Sequence, residues 1–476
     1  MSTTTQASQR IGALLDENSF VEIGAGITAR ATDFNLKQTE TPSDGVITGY
    51  GQIDGNLVYV YSQDATVLGG SVGEMHAKKI ANLYDLAMKT GAPVIGLIDS
   101  AGLRLQEASD ALNAFGELYF KQTMASGVIP QITAVFGSCG GGLAIMPGLA
   151  DFTFMEEKKA KLFVNAPNAL AGNEVSKCDS SSADYQSKET GLVDAAGTES
   201  DILAQIRELV SILPGNCEED NSFEECTDDL NRVCSGIENS LEDPSIVLTN
   251  LSDNNFFFET KKEYAKDMVT GFIRLNGATV GAVANRTKVY DENAAVTESF
   301  DAVLSVRGCE KAASFINFCD AFEIPVLTLT NTTGFKATKC CENRMAKATA
   351  KLTYAFADAT VPKINVITGK AFGSAYTVMN SKALGADMTF AWPTAQIGMM
   401  DAKLAAKIIC DGKGADAIDA CEKEYANLQN NVESAARRGY VDSIIAPADT
   451  RKYIIGAFDV LFTKSEERPA KKHGTV

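Results

Sequence analysis

The chain has 476 residues, 45% hydrophobic and 22% charged, a globular balance long enough for two domains rather than one. Its formal net charge of -18 opposes binding to nucleic-acid phosphates, although a local basic pocket or a helix N-terminus would still hold an anionic cofactor. No long apolar run predicts a membrane span, and MSTTTQASQR lacks the pattern of a secretory signal. The eleven cysteines contain no C-x-x-C pair, so free thiols in a reducing cytoplasm are expected rather than disulfides or a metal site.

From the N-terminus, GYGQIDG at Gly49 carries a glycine spacing one residue too long for a dinucleotide fingerprint, and no phosphate-loop motif occurs. Next, Ile80, Leu83, Tyr84, Ala87 and Met88 lie at i, i+3, i+4, i+7 and i+8, one face of a helix. That helix ends in Ala87-Met88-Lys89-Thr90, similar to a biotin-attachment sequence. A carrier lysine, however, sits on an exposed hairpin turn, so Lys89 reads as a helix end and any biotin must come on another chain. Strands follow at Val94 to Ile98 and Ile132 to Phe136, and then the glycine cluster FGSCGGGLA. The acidic, weakly periodic stretch Asn216 to Asp229 reads as a connection, with the domain boundary near residue 240: 1-240 and 241-476. The second half repeats the order. Ala312, Phe315, Ile316 and Cys319 form the helical stripe, and strands follow at Val326 to Leu329 and Ile364 to Thr368. GKAFGSAYTVM comes next, and KSEERPAKKHGTV reads as a frayed tail.

The two series are an internal repeat. At an offset of 232 residues, Pro93 matches Pro325, Gly102 matches Gly334, Pro130 matches Pro362 and Gly141 matches Gly373. GYGQIDGNLVYVYSQ resembles GFIRLNGATVGAVAN, and ADFTF at Ala150 resembles ADMTF at Ala386. Alternating strands and helices predict an α/β layered domain in each half.

Only two histidines exist, His473 in the tail and His76 just before a helix, where a structural or surface role is expected. No G-x-S-x-G elbow supports a serine hydrolase. Where a strand turns into a helix, small residues let backbone N–H groups point outward together and hold a developing oxyanion. Tight packing would also account for such glycines. Their recurrence at one place in a repeat favours the chemical reading.

Both halves resemble the carboxyltransferase subunits of biotin-dependent acyl-CoA carboxylases and decarboxylases, of the propionyl-CoA carboxylase β and methylmalonyl-CoA decarboxylase α type. The resemblance rests on DGVITGYGQIDG, SVGEMHAKKI, KTGAPVIGLIDS, ASGVIPQITAVFG, ATVPKINVITGKAFGSAY and LGADMTFAWPTAQIGMM, in order along almost the whole chain. It implies two tandem crotonase-like ββα superhelix domains. It also implies dimer-based homo-oligomers, up to a hexamer, in which the first half of one subunit faces the second half of another. Acyl-CoA is implied on the N-terminal half, and biotin from a separate carrier protein on the C-terminal half. The other partner is either a biotin carboxylase or a sodium-pumping membrane decarboxylase subunit.

The family's oxyanion donors match Gly141 and Gly142 in the first half, after Gly140, and Ser374 and Ala375 in the second, after Gly373. Lys78, Lys79 and Arg104 are candidates for the coenzyme A phosphates, with solvated surface charge as the plain alternative. Thr377 holds a position that tunes acyl-chain preference in the family. The chain departs from the pattern where P-C-A-G-G reads S-C-G-G-G from Ser138, and K-A-Y-G-G-A-Y reads K-A-F-G-S-A-Y from Lys370. D-S-G-G-A-R reads D-S-A-G-L-R from Asp99, and D-V-P-G-F reads N-T-T-G-F from Asn331. These changes leave the acyl group open.

The implied reaction moves a carboxyl group between an acyl thioester and biotin N1′, with the first turn on the enolate oxygen and the second on the ureido oxygen. The biotin nitrogen can carry the α-proton itself, so no catalytic histidine is needed. Val at Gly142, a residue confined to negative φ, is expected to impair turnover more than folding. Two other functions remain open at this point: a biotin-independent crotonase-type hydratase or decarboxylase, and a non-catalytic acyl-CoA-binding scaffold.

Overall fold

The computed structural model describes residues 5–30, 40–218, 225–291 and 293–468. His473 and the end of the tail lie outside the described residues, as does the middle of the acidic connection. The chain divides into two compact units, Met1–Ser222 and Phe223–Val476. The described residues 225–240 pack within the second unit, where the Arg232 guanidinium donates to the Asn250 and Ser252 carbonyls at 2.9 Å.

In the first unit a seven-stranded sheet runs in sequence order. Its strands are β1 (Val21–Ile23), β2 (Val46–Ile53), β3 (Asn56–Gln63), β4 (Val94–Ile98), β5 (Gln131–Val135), β6 (Phe152–Glu156) and β7 (Ala195–Gly197). The first three pair antiparallel and the rest parallel. Helix α1 (Glu74–Thr90) joins β3 to β4, and α2 (Ala108–Ala125) joins β4 to β5. The predicted stripe of α1 faces the core: Ile80, Leu83, Tyr84 and Ala87 are buried, each large side chain contributing roughly 1.5–3 kcal/mol. Gly91, in the left-handed conformation, ends α1 before Pro93.

The second unit repeats this plan. Strands β8 (Phe258–Thr260), β9 (Met268–Leu275), β10 (Ala278–Asn285), β11 (Val326–Thr332), β12 (Lys363–Phe372), β13 (Met388–Ala391) and β14 (Ser443–Ile444) follow in order, and the strand Gln396–Gly398 pairs with β12. Helix α3 (Val306–Ala321) corresponds to α1, α4 (Lys339–Asp358) to α2, and the short α5 (Gly373–Val378) follows β12. The two antiparallel pairs at the start of each sheet, followed by parallel strands, are the ββα arrangement expected of each half.

Equivalent side chains hold equivalent places. Lys79 on α1 donates to the Ser43 and Val46 carbonyls, and Lys311 on α3 donates to Lys261, Tyr264 and Met268 carbonyls. Asp151 accepts the Gln131 N–H and Asp387 accepts the Lys363 N–H, both at 2.8 Å. The start of the tail is fastened, not frayed. Lys464 forms a 2.9 Å ion pair with the partly exposed Asp387 and donates to the Val361 carbonyl at 3.0 Å.

Candidate active site

In each unit the third parallel position ends in a turn that the repeat predicts. After β5 the chain makes a short strand, Ser138–Gly140, and a single 3-10 turn, Gly141–Ala144. After β12 it enters α5 directly. Gly141 has φ +64 and Gly373 has φ +60, so these two equivalent glycines alone bend each turn into the left-handed region. At Gly141 a Cβ would meet nothing within 4 Å, so dihedral strain rather than space demands glycine there. Neither turn carries a side-chain cap at Gly140 or Phe372, and the first N–H groups of a helical turn have no partner within it. Such amides are suited to an anion.

This geometry corrects the expectation for Gly142. The positive-φ residue is its neighbour Gly141, so Val at 142 would act by crowding: a Cβ there comes 2.9 Å from the Tyr119 hydroxyl. Ser374 is likewise not among the left-handed residues. It lies inside α5, where serine is unstrained and keeps its N–H, so the departure from the family glycine costs nothing in backbone conformation. Ala375 is buried behind it, and Thr377, exposed, donates its hydroxyl to the Gly373 carbonyl at 3.4 Å.

A polar contact stands behind each turn, and its first link is the same in both. Gln63, the last residue of β3, accepts the Asp99 N–H at 3.2 Å; Asn285, the last of β10, accepts the Asn331 N–H at 3.2 Å. Asp99 packs against Gly137 and Asn331 against Gly369, so close that a Cβ on either glycine would lie 1.9 Å and 2.6 Å from the side-chain oxygen. The register of β11 on β12 shifts between Thr330 and Thr332, and this irregularity turns Asn331 so that its Oδ1 accepts the Lys370 N–H at 3.0 Å. Sequence reasoning missed this relay. Its signal was present: both copies of the β2–β3 and β9–β10 hairpins end in an amide residue, Gln63 and Asn285.

The basic candidates separate. Lys78 is exposed and pairs with Glu74 at 2.7 Å. Lys79 is 3% exposed and spends its ammonium on carbonyls, with burial lowering its pKa to about 8. Arg104 is 1% exposed and bridges Asp44 and Glu107 at 2.7 and 2.8 Å. Lys79 and Arg104 are therefore corrected from phosphate ligands to internal ties, because Arg104 is paired with carboxylates and the Lys79 ammonium is taken up by carbonyls, both inside the fold. His76 lies within α1, fully buried rather than on the surface. Its Nδ1–H donates to the Asp44 carbonyl at 2.9 Å, and its Nε2 accepts from the Gln63 amide at 3.1 Å. Burial, with the Arg104 guanidinium nearby, lowers its pKa to about 3, so it is a neutral spacer behind Gln63 and no general base. Burial also raises the Cys139 thiol far above its ordinary value, which removes a thiolate nucleophile from the first turn.

Beside the second turn lies a cavity of about 600 Å³, with Tyr376, Ile397, Met399, Ile408 and Tyr440 in its wall. Its walls are mostly apolar, as suits the ring and chain of an organic cofactor. Among the described residues, no cluster of three or more His, Cys, Asp or Glu could hold a metal ion.

The chain matches the carboxyl transferase domain model over residues 4–476. It belongs to the carboxyl transferase family. It is 41% identical to the propionyl-CoA carboxylase beta chain of Roseobacter denitrificans, over 99% of this chain and 93% of that one. It is 40% identical to the methylmalonyl-CoA decarboxylase subunit alpha of Veillonella parvula, over 99% and 92%. Transcarboxylase 12S, solved as a hexamer with hydrolyzed methylmalonyl-coenzyme A bound, superposes with a TM-score of 0.92 at 36% identity, covering 98% of this chain and 92% of that one. As a member of that family the chain has the crotonase-like fold and is a carboxyltransferase enzyme. Among the described residues no helix is long and apolar enough to cross a membrane.

Proposed function

We propose that the protein transfers a carboxyl group between the α-carbon of an acyl-CoA thioester, of the propionyl or methylmalonyl class, and biotin on a separate carrier protein. The observation that carries this reading is the matched pair of left-handed glycines, Gly141 and Gly373, each opening an uncapped turn of N–H groups. Gly141 and Gly142 hold the thioester oxygen as it becomes an enolate. Ser374 and Ala375 hold the ureido oxygen, and the cavity beside Tyr376 receives the ring. Biotin supplies the nitrogen that carries the carboxyl group. The chain's own residues bind, orient and stabilise charge, and none of them has to relay a proton, consistent with a buried neutral His76.

Lys78, the exposed member of the three cations although paired with Glu74, is the candidate for a coenzyme A phosphate in this reading, and Thr377 the candidate for contact with the acyl chain. The working enzyme is a homo-oligomer built from dimers. It partners the biotin carrier protein and either a biotin carboxylase or a sodium-pumping membrane subunit. We place it in the cytoplasm, where its eleven free cysteines stay reduced.

The purified chain with methylmalonyl-CoA and a biotinylated carrier is expected to release propionyl-CoA only when the carrier is present. Absence of turnover with methylmalonyl-, malonyl- and glutaconyl-CoA alike would overturn the reading. Gly141→Ala keeps the amide but strains a backbone at positive φ, so it is expected to swing that N–H off the oxygen and lower kcat by about a hundredfold while the protein stays folded, the worth of one oxyanion donor.

A further inference from the structure

The first turn contains three glycines in succession, Gly140, Gly141 and Gly142, where the second has Phe372, Gly373 and Ser374. Three glycines leave the peptide planes free to swing, and an oxyanion cradle works only if its N–H groups stay aimed. The second turn is held by its own side chains, with Thr377 reaching back to the Gly373 carbonyl. The first has no side chain of its own to do this. Its tie comes from outside: the Tyr119 hydroxyl, on α2, donates to the Gly142 carbonyl at 2.6 Å. That carbonyl also accepts the Ile145 N–H, so two donors fix the Gly142–Leu143 peptide plane, and with it the C-terminal side of the residue whose own N–H points into the cradle. The approach accounts for Gly142 as well, because a Cβ there would stand 2.9 Å from the tyrosine oxygen. The Tyr119 ring is itself held, stacked on Phe115 with centroids 5.9 Å apart. The repeat-equivalent residue on α4 is Lys351, whose ammonium lies 3.9 Å from the Glu310 carboxylate, so the tyrosine tie is not repeated there.

We propose that Tyr119 is a positioning residue for the reaction, fastening the glycine turn so that its amides face the thioester oxygen. The inference rests on the oxyanion reading of Gly141 and Gly142 given above. Tyr119 itself touches no reacting atom.

Tyr119→Phe keeps the ring stack and deletes only the hydroxyl. In carboxyl transfer from methylmalonyl-CoA to the biotinylated carrier, kcat is expected to fall roughly tenfold, as for a small misplacement of catalytic groups, with KM for the acyl-CoA nearly unchanged. Tyr119→Leu, which also removes the ring, is expected to lower the melting temperature further but to add little to the loss in kcat. An unchanged kcat in Tyr119→Phe overturns the inference, and so does a loss that appears in KM instead. Gly141→Ala, run in parallel, separates the two levels. If it is impaired while Tyr119→Phe is not, only the tyrosine inference fails. If both variants retain full turnover, the oxyanion reading falls with it.

Discussion

Single residues decide the chemistry here mainly by being made inert. His76 is the clearest case. In an unfolded chain its imidazole takes a proton near pH 6.5, whereas in the fold it stays neutral down to about 3. Throughout that window the unfolded chain binds the additional proton, so this contribution to stability is full above about pH 6.5 and is lost as pH falls. Between pH 6.5 and 5 the loss from this residue alone is expected to be about 2 kcal/mol. Urea unfolding at pH 7 and pH 5 tests it: His76→Gln should flatten the dependence, and an equal slope in both proteins would refute the account. The same logic removes Lys79 and Arg104 from ligand binding. From sequence, a lysine after a helix start and an arginine in a loop read as accessible cations. The Ser43 and Val46 carbonyls and the Asp44 carboxylate come from a distant part of the first unit, and only tertiary packing shows that these cations are already occupied; Glu107, three residues from Arg104, is the one local partner.

At the scale of elements the repeat was the most legible feature. The helical stripes, the strands that follow them and the turns at Gly141 and Gly373 all lie where spacing placed them, because burial imposes its period on local sequence. The boundaries of individual strands were less legible: β12 continues to Phe372, beyond the apolar run that ends at Thr368, since its last residues pair with the strand Gln396–Gly398. The relay through Gln63 and Asn285 was hidden for another reason. Polar residues at strand ends carry no periodicity, and their partners are set by three-dimensional approach. One mismatch within the repeat gives a direct prediction. Gly91 ends α1 with φ +64, and its equivalent Glu323, after α3, has φ +54, a conformation that is costly for a residue with a Cβ. Glu323→Gly is expected to stabilise the protein by about 0.5–1 kcal/mol, read as a rise in melting temperature. A fall would show that the glutamate side chain earns its place through contacts.

For the whole molecule, two cores imply two structural reporters. Trp392 is the only tryptophan, 1% exposed in the second unit, with its indole N–H donating to the Thr450 hydroxyl at 3.0 Å. Its fluorescence follows that unit alone, whereas far-ultraviolet dichroism follows both. The two denaturation midpoints are expected to differ; coincident curves would mean that the units melt as one. The unlike fastening of the two turns has a consequence for how such a duplicated chain can change. A loop tied by a tyrosine from a neighbouring helix and a loop tied from within do not share a single support. Drift, or a protein engineer, can therefore reshape the mouth for one reactant and leave the grip on the other as it was.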